Sequence, residues 1–153
     1  MTGHTALPLV ILFAKAPLPG RVKTRLLPVL SPQQAADLHT ALVHDMLTML
    51  RALSLPLDIE LHTDAPTTAW STVAVQRRLQ SGVGLGEKML TAINMGLAAG
   101  HPTVLILGSD SPGLPPSHVE SLLSLETDLK LGPAEDGGYY GICARRTAAG
   151  MFD

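Results

Sequence analysis

Four cations fall within eleven residues: Lys15, Arg21, Lys23 and Arg25 in "KAPLPGRVKTR", with no acid among them. A run of like charge is ordinarily a solvated loop. The chemistry these residue types could perform at this spacing is to clamp phosphates. Arg presents a planar fork of donors and Lys a compact point charge. Gly20 lets the backbone approach a ligand closely, and Thr24 adds a hydroxyl. The "KT" at Lys23–Thr24 is not a Walker loop, because the glycines that precede the lysine in that motif are missing.

Two acids could complement this loop. Asp110 follows the apolar run "VLIL" in "GSDSPGLPP". Asp, Ser, Gly and Pro are ordinary turn residues. A carboxylate at a strand's carboxyl end is equally suited to Mg²⁺ or Mn²⁺, which favour oxygen donors and share themselves with substrate phosphates. Ser109 or Ser111 could orient it. Asp136 follows Glu135 and precedes Gly137 and Gly138 in "GPAEDGGYYG". The glycines suit a tight turn. Alternatively Asp136 faces Asp110 as a second metal or acceptor contact, and both acids are candidate catalytic and metal-binding groups.

A third stretch, "LQSGVGLGEKM", offers Gln80 and the backbone of Gly84 and Gly86 as a surface for a flat nucleobase, or simply a flexible approach to a helix. None of the six histidines pairs at metal-ligand spacing; His39 and His44 sit five apart and read as structural or exposed. No G-x-S-x-G is present and Cys143 lies in an apolar run, so a nucleophilic hydrolase is not expected.

The elements that must position these groups alternate. Strands are expected at Leu7–Ala14, Leu57–His62, within Val73–Gln80, at Thr103–Leu107, Asp128–Leu131 and Tyr139–Ala144. Helices are expected from Ser31, capped with Gln34 and started by Pro32; from the glycine-rich Gly82–Gly86 to about Ala99; and from Ser117 to about Leu125, capped with Glu120. Such alternation implies an α/β Rossmann-like three-layer sandwich with a mainly parallel sheet. Ligands of such sheets bind at the strands' carboxyl ends. Lys15, Asp64 and Asp110 all fall there.

Composition sets the remaining bounds. The chain has 153 residues, suiting a single domain over 1–153. A net charge of −2 supplies no overall field for nucleic acid. With one cysteine, no intrachain disulfide can form, which fits a cytoplasmic setting. No basic residue precedes the apolar run at Leu7, so that run reads as a buried strand rather than a signal peptide. No apolar run has the roughly 20 residues that cross a bilayer.

Taken in order, "FAKAPLPGRVKTRL", "LQSGVGLGEKM", "LILGSDSPGLP" and "GPAEDGGYYGI" resemble the small glycosyltransferase-A-like proteins described as radical-SAM/selenodomain-associated or arsenosugar-biosynthesis transferases. The similarity runs from Leu9 to Ile142. It implies the nucleotide-diphosphosugar transferase fold, a nucleotide-sugar donor, a small-molecule acceptor and Mg²⁺ or Mn²⁺. It also implies that Lys15–Arg25 holds the donor's phosphates, that Asp110 is the metal-binding acid and that Asp136 lies near the reacting centre. Family members often carry Asp where Gly84 stands. They usually continue beyond the "GGYY" strand, so the resemblance leads one to expect a short C-terminus, an incomplete acceptor side and apolar surface left for self-association into a homo-oligomer. The same fold and acids also serve nucleotidyltransferases that join a nucleoside triphosphate to a phosphorylated small molecule. A non-catalytic nucleotide-binding remnant is the third reading.

Overall fold

The structure, a computed structural model, describes residues 6–111, 113–124, 127–134 and 137–152. Six strands are resolved among these: β1 (Leu9–Ala14), β2 (Asp58–Thr63), β3 (Gln76–Leu79), β4 (Val104–Gly108), β5 (Leu129–Pro133) and β6 (Tyr139–Ala144). Three α-helices separate them: α1 (Pro32–Arg51), α2 (Leu85–Ala98) and α3 (Pro116–Leu123). The strands form one sheet in the order β3-β2-β1-β4-β6-β5. The first four are parallel, and β6 runs antiparallel to both of its neighbours. The fold is therefore the mainly parallel α/β architecture expected.

Strand β1 is apolar throughout because it has no free side. It pairs with β2 and β4, and every one of its residues is buried. Val10 and Leu12 turn towards Val43, Met46 and Leu47 of α1 and Val119 and Leu122 of α3. Leu9, Ile11 and Phe13 turn towards Met89, Ala92 and Ile93 of α2. A strand buried on both faces reads as a continuous apolar run. The register then brings the strand ends level. Ala14 lies beside Thr63, Thr63 beside Leu79, and Phe13 beside Gly108.

The helices start as their sequences dictate, with one exception. Ser31 caps α1 through the capping box with Gln34, and Pro32 occupies the first turn. The box expected at Ser117 and Glu120 does not form: α3 begins one residue earlier, at Pro116, with no side-chain cap. Two successive prolines, Pro115 and Pro116, already set the backbone angles for entry there. Leu125, the expected end of this helix, lies outside the described residues. Of the described helices, none is long and apolar enough to cross a membrane. At the other end of the sheet, Gly132 has no side chain because the ring of Tyr140 crosses its position. Leu129, Leu131 and Tyr139 stay exposed along this edge.

Two buried histidines sit at the polar margin of the core. His39 of α1 donates from Nε2 to the Lys15 carbonyl at 2.8 Å. His62 of β2 stacks on Phe13 and donates to Glu60 at 2.9 Å, while Arg78 holds the same carboxylate oxygen at 3.1 Å. Burial, the largest influence on each, lowers both imidazole pKa values below the ordinary 6.5.

Two outcomes test this packing. A Cβ on Gly96 of α2 would lie 2.6 Å from Cγ2 of Val104. Helix propensity favours Ala over Gly by about 1 kcal/mol, yet Gly96→Ala should destabilise the protein by about 1–3 kcal/mol, as overpacking does. Denaturant titration reads the sign, and a stabilised variant would refute the close approach. The histidines predict a pH slope. The unfolded chain takes up protons near pH 6.5, whereas both folded imidazoles resist until the pH is lower. Stability present above that pH should therefore fall as pH drops from about 7.5 to 5.5, and His39→Gln with His62→Gln should flatten the slope of the denaturation midpoint.

Candidate functional site

The level strand ends force four loops into one place. Residues following β1, β2, β3 and β4 border a cavity of about 1020 Å³. Lys15 comes from β1, Asp64 from β2, Gln80 from β3, and Ser109 and Asp110 from β4. A second cavity, of about 620 Å³, lies at the amino end of β2 between Leu50, Leu57, Asp58 and His101. It receives none of the basic loop, so the first cavity is where the chemistry must be sought.

The basic loop is held down by groups that carry no positive charge. Asp64 Oδ1 accepts the Ala16 N–H at 2.7 Å, and His39 fixes the carbonyl of Lys15. Gly20 makes the turn with φ 83°. Val22 is buried and pins the far limb. Lys23 adopts the left-handed conformation, φ 53°, and caps a single 3₁₀ turn over Thr24–Leu26. Its carbonyl accepts the Leu26 N–H at 3.0 Å. A non-glycine residue is uncommon in that region and its placement carries a cost. The α1 anchor continues inward: His39 lies edge-on to Trp70, whose indole donates to Thr40 at 2.9 Å, and Arg77 donates to the carbonyls of Ala69 and Trp70.

The lining is charged and asymmetric. Lys15, Lys23, Arg25 and Lys88 border the cavity, against the carboxylates of Asp64 and Asp110. Leu38 and Leu42 of α1, with Leu85 and Phe13, give it an apolar wall. Lys23 Nζ contacts Asp110 Oδ1 across the mouth. Gln80 is partly committed, since its N–H and its side-chain amide donate to the carbonyls of Thr63 and His62 at 2.8 and 3.2 Å. Such a surface suits a polyanion with an apolar or flat portion.

The donor set limits the metal. Among the described residues no three His, Cys, Asp or Glu side chains gather around a common point. That excludes a closed all-protein cage among them. It fits an Mg²⁺-type ion, which keeps waters and takes one or two carboxylates plus ligand phosphates. The carboxylates that border the cavity are those of Asp64, which accepts the Ala16 N–H, and Asp110.

The expected residues divide into three groups. Lys15, Lys23, Thr24, Arg25, Gln80 and Asp110 border one cavity. Arg21 lies exposed in the same loop but outside the lining, and Gly84 and Gly86, at the start of α2, also lie outside it. Gly84, φ 81°, precedes α2 with open space where a Cβ would stand, whereas a Cβ on Gly86 would lie 3.0 Å from Phe152. Asp136 and Glu135 lie outside the described residues. Tyr139, beyond that turn, points its hydroxyl at Met89 Sδ, 3.9 Å away. Sequence reasoning missed Lys88, and it read His39 as structural or exposed without identifying the loop that His39 holds. Lys88 stood inside the glycine-rich motif as an unremarked cation. His39 carried no signal, because its role depends on a carbonyl 24 residues away.

Known proteins match this architecture. A protein of Desulfovibrio desulfuricans G20, provisionally described as a nucleotide-diphospho-sugar transferase, superposes with TM-score 0.88 at 32% identity over 97% of this chain and 68% of its own. A CMP:2-keto-3-deoxy-manno-octonic acid synthetase, solved with CTP, matches at TM-score 0.56 and 12% identity over 92% of this chain and 74% of its own. A 4-diphosphocytidyl-2C-methyl-D-erythritol synthase matches at 0.57 and 9% over 91% and 75%. The last two share the fold alone. No curated protein matches the sequence closely. Residues 46–153 match the family described as "Uncharacterized protein conserved in bacteria (DUF2064)". With more than half its length so matched, and with a nucleotide-diphosphosugar transferase fold around the cavity, the chain belongs to that family.

Proposed function

We propose that the protein is a metal-dependent glycosyltransferase that takes a nucleotide-sugar donor in the cavity at the carboxyl end of its sheet. The observation that carries this reading is the convergence of Lys15, Lys23, Arg25 and Lys88 with Asp110 on one cavity bordered by apolar side chains. The Desulfovibrio relative, similar across nearly the whole chain, bears a nucleotide-sugar transferase description that agrees with it.

The residues have separate tasks in this reading. The cations hold the donor's diphosphate and offset the charge that grows on the departing nucleoside diphosphate as the glycosyl carbon–oxygen bond breaks. Bound Mg²⁺ or Mn²⁺ would supply further charge neutralisation at the same oxygens. Asp110 would hold that ion, and Asp136 is the second candidate acid. His39 and Asp64 keep the loop in position. The acceptor hydroxyl forms the new bond to the glycosyl carbon.

A nucleotidyltransferase is the second reading, favoured by the two fold neighbours described as a synthetase and a synthase, the first of them solved with CTP. There the same cations would face a triphosphate, and pyrophosphate would leave. The released group separates the two: nucleoside diphosphate from a nucleotide-sugar, or pyrophosphate from a triphosphate.

Binding tests the shared core of both readings. Lys15→Ala with Arg25→Ala should weaken nucleoside diphosphate binding at least tenfold, because each charge-assisted hydrogen bond is worth about 1.5–3 kcal/mol. Nucleoside binding should change less than about twofold. Asp110→Asn should remove the part of the affinity that Mn²⁺ adds. Calorimetry with and without Mn²⁺ reads all three. Equal losses for nucleoside and diphosphate, or an unchanged Mn²⁺ increment in the Asp110 variant, would refute the assignment.

A further inference from the structure

We propose that Lys23 is an exchangeable counter-ion for Asp110, so that the site takes its divalent cation and its diphosphate together rather than one at a time. This rests on reading the cavity as a nucleoside diphosphate site. It adds how that site discriminates against either component alone.

The geometry of the pair is the first ground. Lys23 Nζ sits on Oδ1 of Asp110, the carboxylate a cation would need. The two residues are 87 positions apart, on the loop after β1 and the turn after β4, so the contact spans the mouth. The partners are unequally placed: the lysine side chain is 18% exposed and the aspartate 82%. The ammonium has therefore been laid down along the protein while the carboxylate faces solvent, where ligands arrive.

The second ground is that the contact can open without disturbing the loop. The backbone of Lys23 is fixed by its own carbonyl bond to Leu26 N–H and by the burial of Val22. Neither depends on the ammonium. The side chain has four rotatable bonds, and an ion pair open to water is worth little.

Charge then couples the two ligands. A divalent cation arriving alone meets an ammonium already on the Asp110 oxygen and is repelled by it. A diphosphate arriving alone draws the ammonium to its own oxygens and leaves Asp110 as a bare carboxylate beside phosphate. Each ligand removes the obstacle to the other, and by linkage each must raise the other's affinity by the same factor.

The test uses the full chain, with Mn²⁺ alone and inorganic pyrophosphate as probes. Lys23→Asn removes the ammonium while keeping a residue that tolerates the left-handed backbone; Lys23→Met is a second variant should the first melt early. Electron paramagnetic resonance should show free-protein Mn²⁺ affinity rising about two- to fivefold in either variant, the range an exposed pair is worth. Adding Asp110→Asn should abolish the gain. Arg21→Gln removes an equal charge from the same loop outside the cavity and should give less than half of it. In calorimetry, the factor by which Mn²⁺ improves pyrophosphate binding should shrink in the Lys23 variants. No gain, a gain matched by Arg21→Gln, or a gain that survives Asp110→Asn would overturn the proposal. If Lys23 gives no gain while Mn²⁺ still strengthens nucleoside diphosphate binding through Asp110, the counter-ion exchange alone is wrong. If that dependence is also absent, the reading of the cavity falls with it.

Discussion

The packing of β1 on all four sides constrains everything else in this molecule. A strand flanked by β2 and β4, with α1 and α3 on one face and α2 on the other, cannot slip by a single residue without turning its buried side chains to the wrong layer. Its register is therefore set by the core, and the neighbouring strands take theirs from it. Ala14, Thr63 and Leu79 stand abreast for that reason, and Lys15, Asp64 and Gln80 must emerge together. The cavity follows from a hydrophobic requirement, although its lining is polar.

The basic loop illustrates how such a scaffold holds concentrated charge. Lys15, Lys23 and Arg25 repel one another, so the loop that carries them gains nothing from its own electrostatics. Its fixed points are instead a carboxylate accepting a backbone N–H, an imidazole donating to a carbonyl, and a buried valine. Burial lowers the pKa of His39, and the nearby Lys23 charge acts in the same direction. The anchor thus adds no further positive charge beneath the loop. The chain from His39 through Trp70 to Arg77 ties this anchor to the edge of the sheet, where β3 begins.

Much of this was legible in the amino-acid sequence, and the legible part has a common physical cause. The apolar run of β1, the Ser31 capping box and the glycine-rich approach to α2 are local patterns whose partners lie within a few residues. Asp110 drew notice because it comes shortly after such a run, and it borders the cavity. Tertiary choices were not. Pro115 and Pro116 competed with Ser117 for the start of α3, and their fixed backbone angles prevailed. Gly86 reads as ligand space from sequence, yet the contact that explains it is Phe152, from the other end of the chain. Lys88 is one of several cations until α2 is laid against the sheet, and His39 is one of six histidines until the loop is folded over it.

The two proposed transfer reactions would draw on one set of residues. Diphosphate and pyrophosphate are leaving groups of nearly the same charge, and charge is what Lys15, Lys23, Arg25, Lys88 and Asp110 respond to. A glycosyl transfer breaks a carbon–oxygen bond beyond the diphosphate; a nucleotidyl transfer breaks a phosphorus–oxygen bond within a triphosphate. The difference is a displacement of the reacting atom along one extended anion, so the phosphate-holding cations can remain the same while the acceptor's approach changes. Under the proposed function, selection between the reactions would therefore belong to the acceptor's approach rather than to these cations. In either proposed reaction, the loop between β1 and α1 would supply the part that both require.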